Sequence, residues 1–158
     1  MTEKEKVQIR ILDEIHEYDS GTSLEAVSRD FQSRFPHRII LARVNGRLRE
    51  LCRTVTENGE IEFVSVGEKA GEAAYRRTAT LILTKAVSDI LGADARLIVQ
   101  FSVHRGYYCE IIGHMPIEEE LLKQIQRRME ELVEANLPIA KQTVNTYEAQ
   151  KIFKESGM

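Results

Sequence analysis

Apolar side chains alternate with polar ones along residues 7–12. This two-residue period predicts a half-buried β-strand, and a short second strand at residues 16–18 would complete a hairpin. Thr22 is followed three residues later by Glu25, a capping-box arrangement that predicts the start of a helix. Pro36 ends the helical segment, because proline lacks the backbone donor that a helix needs.

Two further strand-like runs, residues 39–44 and 47–51, are joined by Asn45 and Gly46. An Asn-Gly pair tolerates the two positive φ angles of a type I′ turn, so this segment predicts a tight antiparallel hairpin. A second Asn-Gly pair precedes a last strand at residues 60–66. The order strand, strand, helix, strand, strand, strand predicts a small α+β unit of ubiquitin-like size.

The longest predicted element is a helix over residues 73–91, preceded by a short polar connector at residues 67–71. Gly92 is expected to end this helix, because glycine adopts a left-handed conformation without steric cost. Apolar residues recur at helical spacing and predict a face that packs on a sheet. The residues of that face are Tyr75, Ala79, Ile82, Ala86 and Ile90.

Two strands, residues 96–103 and 107–112, are predicted to form a hairpin around Arg105 and Gly106. A helix over residues 116–136 follows, because a proline and three consecutive glutamates are typical of a helix N-terminus. Its predicted buried face consists of Leu121, Leu122, Ile125, Met129, Leu132 and Val133.

The chain ends with a strand-like run at residues 141–144 and a helix at residues 146–155, with Asn145 as its predicted cap and Gly157 as its predicted end. We therefore predict an α+β architecture with two domains, residues 1–66 and 67–158, separated at the polar connector.

The composition is that of an ordinary soluble globular protein: 42% of the 158 residues are apolar, 30% are charged, and the formal net charge is −3. This charge gives no general attraction to nucleic acid, so any such contact needs a local basic patch. Cys52 and Cys109 are far apart in sequence and predict reduced thiols in a cytoplasmic protein. The polar N-terminus resembles neither a signal peptide nor a membrane span, and no membrane partner is expected.

Residues 40–51, which read ILARVNGRLREL, resemble the core of a TGS domain, the β-grasp module at the front of threonyl-tRNA synthetases. Residues 71–87 resemble the helix that opens the second, editing domain of that family, and residues 106–110 (GYYCE) resemble its glycine-aromatic-aromatic hairpin. Residues 116–136 and 144–153 also fall where the family has similar segments. The resemblance implies a ubiquitin-like β-grasp (TGS) domain followed by an α+β domain like the editing domain.

The resemblance to the editing domain does not extend to its chemistry. In that family the helix carries two histidines four residues apart, which act with a cysteine and a histidine further along the chain. The matching positions here are Arg77 and Leu81. A guanidinium stays protonated and leucine has no lone pair, so neither replaces a neutral imidazole. We expect a degenerate editing domain and assign no catalytic residue.

A second family has the same two N-terminal domains without those histidines: the bacterial uridine kinase-like (phosphoribulokinase/uridine kinase) proteins. Residues 75–78 (YRRT) resemble the start of its long helix, and residues 106–110 match its hairpin better than that of the synthetases. The resemblance implies a non-catalytic accessory or regulatory region of an ATP-dependent nucleoside kinase. The expected partner is then a C-terminal kinase domain of the same chain, with ATP and magnesium. The alternative is an RNA- or nucleotide-binding module related to the N-terminal region of threonyl-tRNA synthetase, without editing activity.

Basic residues are the main candidate ligand-binding groups. Arg43, Arg47, Arg49 and Arg53 cluster on the predicted hairpin, and the first three are candidates for contacts with RNA phosphates. Arg76 and Arg77 begin the long helix and are candidates for a nucleotide or RNA ligand. The alternatives are a solvated sheet edge for the hairpin arginines and salt bridges to nearby glutamates for the helical pair.

Tyr108 is a further candidate, because consecutive strand residues face opposite ways and one of the two hairpin tyrosines is then exposed for stacking on a base. No segment has the glycines, lysine and hydroxyl of a P-loop. The four histidines lack the spacing that places two ligands on one helix face, so no metal site is predicted. They are His16, His37, His104 and His114. The oligomeric state is left open.

Overall fold

The computed structural model describes residues 5–92, 94–104, 106–113 and 116–155. The chain divides into two compact units, Met1–Arg77 and Thr78–Met158. This division falls inside the long helix, and the domain boundary expected after residue 66 stays a prediction. Within the described residues, one five-stranded sheet, one two-stranded sheet and four α-helices confirm the predicted α+β class.

The sheet of the first unit has the strand order β2-β1-β5-β3-β4. β1 and β5 run parallel at its centre, and the remaining neighbours pair antiparallel. One helix, α1 (Leu24–Phe31), lies between β2 and β3 in sequence and continues into a short 3-10 turn, Gln32–Arg34. The strands are β1 (Lys6–Ile11), β2 (Glu14–Asp19), β3 (Ile39–Val44), β4 (Arg47–Glu50) and β5 (Gly59–Ser65).

The core of the first unit forms where α1 packs on one face of this sheet. The alternating residues of β1 are buried, as their two-residue period predicts. The apolar residues of α1 recur at helical spacing and meet them there. The core includes Val7, Ile9, Ile11, Leu24, Val27, Phe31, Ala42, Ile61 and Phe63.

The cap of α1 lies one residue later than the sequence pattern predicts. The Ser23 hydroxyl accepts a hydrogen bond of 3.1 Å from the backbone N–H of Ala26. Thr22 instead donates its hydroxyl to the carbonyl of Asp19, at 2.7 Å, and helps to end β2. The predicted Thr22–Glu25 capping box is therefore wrong, because the threonine side chain is already bonded to the preceding turn.

The hairpin between β3 and β4 confirms the turn that the Asn-Gly pair predicts. Asn45 and Gly46 have φ angles of 49° and 76°, the two positive values of a type I′ turn. The β1–β2 hairpin uses the same geometry at Leu12 and Asp13, with φ angles of 49° and 66°. Leucine is an unusual residue for this left-handed conformation, and nothing in the sequence pattern indicates it.

The long helix α2 spans Lys69–Leu91 and so begins earlier than predicted. Most of the expected connector is helical, because the Glu68 carboxylate accepts the backbone N–H of Ser65 at 2.8 Å and turns the chain directly after β5. Gly71 fits here because a Cβ atom at this position would lie 1.9 Å from the Ser65 carbonyl oxygen. Gly92, with a φ of 84°, follows the helix as predicted.

In the second unit the C-terminal part of α2 and α3 (Glu119–Glu134) cover one face of an antiparallel hairpin. The hairpin strands are β6 (Arg96–Val103) and β7 (Gly106–Ile112), and Arg105 of the predicted turn lies outside the described residues. The buried residues at the centre are Ala86, Val87, Ile111 and Ile125.

Three residues predicted to be buried on these helices are exposed instead. Tyr75 on α2 is 59% exposed, and Leu122 and Val133 on α3 are 53% and 60% exposed. The faces predicted from helical spacing are too wide. Only part of each helix packs against the hairpin, so some apolar residues at the predicted positions stay exposed.

The last helix, α4, spans Thr146–Glu155, and the Asn145 side chain caps it by accepting the backbone N–H of Glu148 at 2.9 Å. Residues 141–144 form no strand, which corrects the prediction made from their composition. A run with high β-propensity needs a neighbouring strand, and no strand of the described ranges pairs with these residues. The predicted end of the helix at Gly157 lies outside the described residues.

Within the described part of the chain, no helix has the length and apolar character needed to cross a membrane.

Candidate nucleic-acid interface

Arg47 and Arg49 lie on β4, an edge strand of the five-stranded sheet, and are both exposed. Their directly opposed residues on β3 are Val44 and Ala42, which contribute to the core under α1. Opposed residues of an antiparallel pair lie on the same face of a sheet. The two guanidinium groups are therefore on the α1 face, at the margin of the core.

The segment after β4 returns to the N-terminus of α1. The backbone N–H groups of Leu24 and Glu25 donate to the carbonyl oxygens of Arg53 and Leu51, at 2.7 and 2.8 Å. The first amides of a helix have no partner within the helix, and this segment supplies one. Val55 is 3% exposed and anchors the segment in the core. The result is a fixed backbone beside the two arginines of β4.

A groove of about 650 Å³ lies between β4 and this segment. We call it the basic groove and define it by Arg47, Arg49, Arg53, Thr54 and Thr56. Guanidinium groups bind phosphate oxygens in a bidentate manner, and threonine hydroxyls also donate to phosphate. The groove thus combines the donor types that contact a nucleic-acid backbone. Its remaining lining residues are Leu24, Val44, Asn45, Val55 and Glu57.

The arginines of the basic groove are only weakly neutralised by the protein itself. Among the described residues, Arg47 and Arg49 have no ion-pair partner. Arg53 has its Nε atom 3.8 Å from a carboxylate oxygen of Glu50, which is longer than a hydrogen bond. Glu57 is a carboxylate in the lining. The groove therefore keeps a local positive character although the chain as a whole carries −3.

Arg43 is on the other face of the sheet. Its opposed residues are Leu48 on β4 and Glu62 on β5. One Nη atom of Arg43 lies 3.0 Å from a carboxylate oxygen of Glu62, and its side chain is only 32% exposed. The structure thus brings two of the three candidate hairpin arginines together and separates the third from them.

The candidates on α2 and β7 have different surroundings. Arg76 pairs with Glu72 one turn earlier, at 2.5 Å, which is one of the salt bridges expected from the sequence. Arg77 is exposed. Tyr108 is 47% exposed and stacks on Phe101, with ring centroids 5.1 Å apart. The two arginines belong to the first unit and the tyrosine to the second.

The histidines and cysteines do not form a cluster in the described residues. The His16 ring packs edge-on against Phe31, with centroids 4.9 Å apart. Cys52 and Cys109 are both free thiols, the first exposed and the second half-buried. No group of three or more histidine, cysteine, aspartate or glutamate side chains in the described ranges is arranged to hold a metal ion. His114 lies outside these ranges.

Sequence reasoning missed the contribution of Thr54 and Thr56 to the groove. Residues 51–58 have no helical or strand period, so the pattern gives no reason to place them beside β4. The one available signal was Arg53, which continues the basic run of the hairpin.

The chain is similar to threonine–tRNA ligases. It is 31% identical to that of Syntrophotalea carbinolica over 156 residues, which is 96% of this chain and 24% of the ligase. It is 29% identical to that of Rubrobacter xylanophilus over 140 residues, or 89% of this chain and 22% of the ligase. It is 27% identical to threonine–tRNA ligase 1 of Bacillus subtilis over 143 residues, or 90% and 22%.

The matched part of these ligases is their N-terminal region. The chain therefore spans less than a quarter of the length of these curated relatives. No family model matches the chain. A crystal structure of ATBAG1 in complex with HSP70 aligns over 96% of this chain and 89% of that one, at 14% identity and a TM-score of 0.37, which is too low to support an argument. These relatives support the alternative prediction of a module related to the N-terminal region of threonyl-tRNA synthetase. They give no support to the prediction that the chain belongs to a uridine kinase-like protein.

Proposed function

We propose that this chain is an RNA-binding module related to the N-terminal region of threonine–tRNA ligases, and that its first unit holds RNA phosphates in the basic groove. The pair formed by Arg47 and Arg49 on an edge strand, beside a fixed segment with two threonines, is the observation that carries the proposal. Similarity to enzymes named for a tRNA supports RNA as the class of partner. The strand order with a central parallel β1–β5 pair supports the TGS β-grasp assignment.

The chemistry of the groove favours phosphate over base recognition. Its donor side chains are guanidinium and hydroxyl groups, and none of its lining residues is aromatic. Phosphate contacts position a nucleic acid without reading its sequence. Binding through the groove is therefore expected to depend strongly on salt, because each neutralised phosphate releases a counterion.

The test is the affinity of the 158-residue chain for a tRNA transcript, measured by fluorescence anisotropy at several salt concentrations. The Arg47→Ala/Arg49→Ala variant is expected to bind about tenfold more weakly and to reduce the slope of log affinity against log salt by about 2. Both substituted arginines are exposed, so the variant keeps the core and is checked for folding by circular dichroism.

A matched control uses two arginines of the same sheet on its other face. Arg10 alternates with the buried Ile9 and Ile11, and Arg43 is paired to Glu62. Arg10→Ala/Arg43→Ala changes the net charge by the same amount and is expected to leave tRNA affinity and salt slope nearly unchanged. Equal weakening by the two variants, or no binding by the unmodified chain, contradicts the proposal.

The proposed module has no editing activity. Arg77 and Leu81 lie four residues apart on α2, and the resemblance to the editing domain implies that they occupy the positions of its two helical histidines. A guanidinium offers no acceptor lone pair, and a leucine side chain has no polar atom, so neither residue supplies the base that an imidazole would. Release of the amino acid from mischarged tRNA by the unmodified chain would contradict this part of the proposal. An Arg77→His/Leu81→His variant that stays inactive would indicate that further groups are required.

The earlier expectation of a kinase domain after this segment, with bound ATP and magnesium, stays a prediction. Reading the gene beyond codon 158 tests it, since a P-loop would have to follow.

We also propose a cytoplasmic location, which the two free cysteines support.

A further inference from the structure

The open face of the β6–β7 hairpin carries an aromatic pair. Leu97 and Ile111 are opposed and pack into the core against α2 and α3. Tyr108 is an odd number of residues from Ile111 and therefore lies on the opposite, open face. Phe101 is directly opposed to Tyr108 and shares that face.

A bulge in β6 is what puts Phe101 there. The register shifts between Val99 and Phe101, leaving Gln100 as the extra residue. Without the bulge, Phe101 would follow the alternation of Leu97 and Val99 and face the helices. The shift instead stacks Phe101 on Tyr108, with the ring planes 20° apart, while the two side chains stay 59% and 47% exposed.

The face that carries this aromatic pair also carries hydrogen-bonding groups. The Gln100 amide donates to a carboxylate oxygen of Glu110 at 2.8 Å, and Glu110 is two residues from Tyr108 on the same face. Arg96 also lies on this face, since it precedes the inward-facing Leu97. In the described residues Arg96 has no ion-pair partner. An exposed pair of rings thus has a carboxylate acceptor and a guanidinium on one strand face.

We propose that Phe101 and Tyr108 form a stacking platform for a base of single-stranded RNA that carries an amino group. Aromatic side chains stack on bases whatever their sequence, and a neighbouring carboxylate accepts a hydrogen bond from an amino group such as N4 of cytosine. Arg96 supplies a cation for a phosphate of the same strand. This proposal rests on the proposed function, because it takes RNA from it as the class of ligand. It involves none of the residues of the basic groove.

The probe is a fluorescent ten-nucleotide oligocytidylate compared with the matching oligouridylate, which has a carbonyl oxygen in place of the amino group. Both are titrated with the 158-residue chain. The unmodified chain is expected to bind oligocytidylate severalfold more tightly than oligouridylate. Phe101→Leu/Tyr108→Leu keeps apolar side chains and is expected to weaken oligocytidylate binding at least fivefold.

Two variants separate stacking and hydrogen bonding from nonspecific effects. Glu110→Gln removes the carboxylate and is expected to reduce the preference for cytosine. Tyr147→Leu changes a tyrosine of α4 that is 81% exposed and is expected to bind like the unmodified chain. Circular dichroism checks that each variant remains folded.

The outcomes distinguish this platform from the basic groove. Loss of oligocytidylate binding in Phe101→Leu/Tyr108→Leu with normal salt dependence supports the platform, even if Arg47→Ala/Arg49→Ala leaves tRNA affinity unchanged. Unchanged binding in Phe101→Leu/Tyr108→Leu overturns the platform whatever the groove variant does. Concentration-dependent self-association that this variant abolishes, without any effect on oligonucleotides, also overturns it and assigns the face to a second copy of the chain.

Discussion

Arg128 on α3 holds Asp89 on α2 through two nitrogen atoms, Nε and Nη2, each 2.9 Å from the same carboxylate oxygen. Lys85, one turn earlier on α2, contacts the other oxygen of Asp89. The hydrogen bonds from Lys85 and Arg128 hold the pKa of Asp89 below its ordinary value of 3.8. This bridge ties together the two helices that cover the hairpin of the second unit.

Replacing Asp89 with asparagine is expected to destabilise the protein at neutral pH. The Asp89 side chain is 22% exposed, and its partners Lys85 and Arg128 lie nearer to solvent, which screens the pairs, so the loss in free energy of unfolding is expected to be about 1 kcal/mol. Because the folded pKa is depressed, the contribution is present above pH 3.8 and is lost as pH falls through the folded value. Urea unfolding should therefore show a difference between Asp89→Asn and the unmodified chain at pH 7 that disappears in strong acid. Glu119→Gln, in an exposed pair with Lys123, is the control and is expected to have little effect at either pH.

Leu12 in the β1–β2 turn is expected to be a site of strain. Its φ of 49° is costly for leucine, whereas asparagine adopts this conformation readily. Leu12→Asn is expected to raise the free energy of unfolding by about 1 kcal/mol, because the turn keeps its shape without the steric cost. The side chain is already 49% exposed, so little apolar burial is lost.

The comparison for Leu12→Asn is Leu48→Asn. Leu48 is similarly exposed, at 44%, but lies on strand β4. Asparagine is depleted in strands, so this variant is expected to be neutral or destabilised. Thermal unfolding of the two variants would contradict the strain argument if both shift the melting temperature in the same direction.

The phenol of Tyr18 is expected to ionise at a higher pH than an ordinary tyrosine. Partial burial and its hydrogen bond of 3.1 Å to Asp30 raise the pKa of Tyr18 to about 12. The neutral phenol is favoured in the folded state, so its contribution to stability is present below pH 10 and is lost as pH rises towards 12. The ultraviolet absorbance of tyrosinate should show a transition near pH 12 that Tyr18→Phe removes. Asp30→Asn should move this transition to lower pH, and an unchanged transition in Tyr18→Phe would refute the assignment.

Gly71 is expected to tolerate no larger side chain. An added Cβ would lie 1.9 Å from the Ser65 carbonyl oxygen, so α2 would have to move away from the end of β5. Gly71→Ala is expected to lower the free energy of unfolding by about 1–3 kcal/mol in urea titrations. Gly106→Ala is the control, since its nearest contact would be 3.7 Å from the Val103 carbonyl oxygen. A Gly71→Ala protein as stable as this control would show that the helix start adapts freely.

Much of the fold follows from local patterns. The alternation in β1 and the Asn45-Gly46 turn were readable because each depends on residues adjacent in sequence. Glycine after α2 and asparagine before α4 are equally local signals for helix ends. Such features need no knowledge of what packs on them.

The candidate site was less predictable because it depends on tertiary contacts. The pairing of Arg43 with Glu62, which separates it from Arg47, requires the position of β5. The bulge that turns Phe101 outward leaves no periodic signal, since it consists of one extra residue. The arginines were therefore identified from sequence, but their division between two faces was not.

The segment that forms one side of the basic groove also provides the acceptors for the Leu24 and Glu25 amides at the start of α1. If that segment detaches, α1 loses both acceptors at the same time. Opening of the basic groove is therefore coupled to fraying of the N-terminus of α1. Deuterium uptake at the Leu24 and Glu25 amides would then report how often this wall of the basic groove is in place.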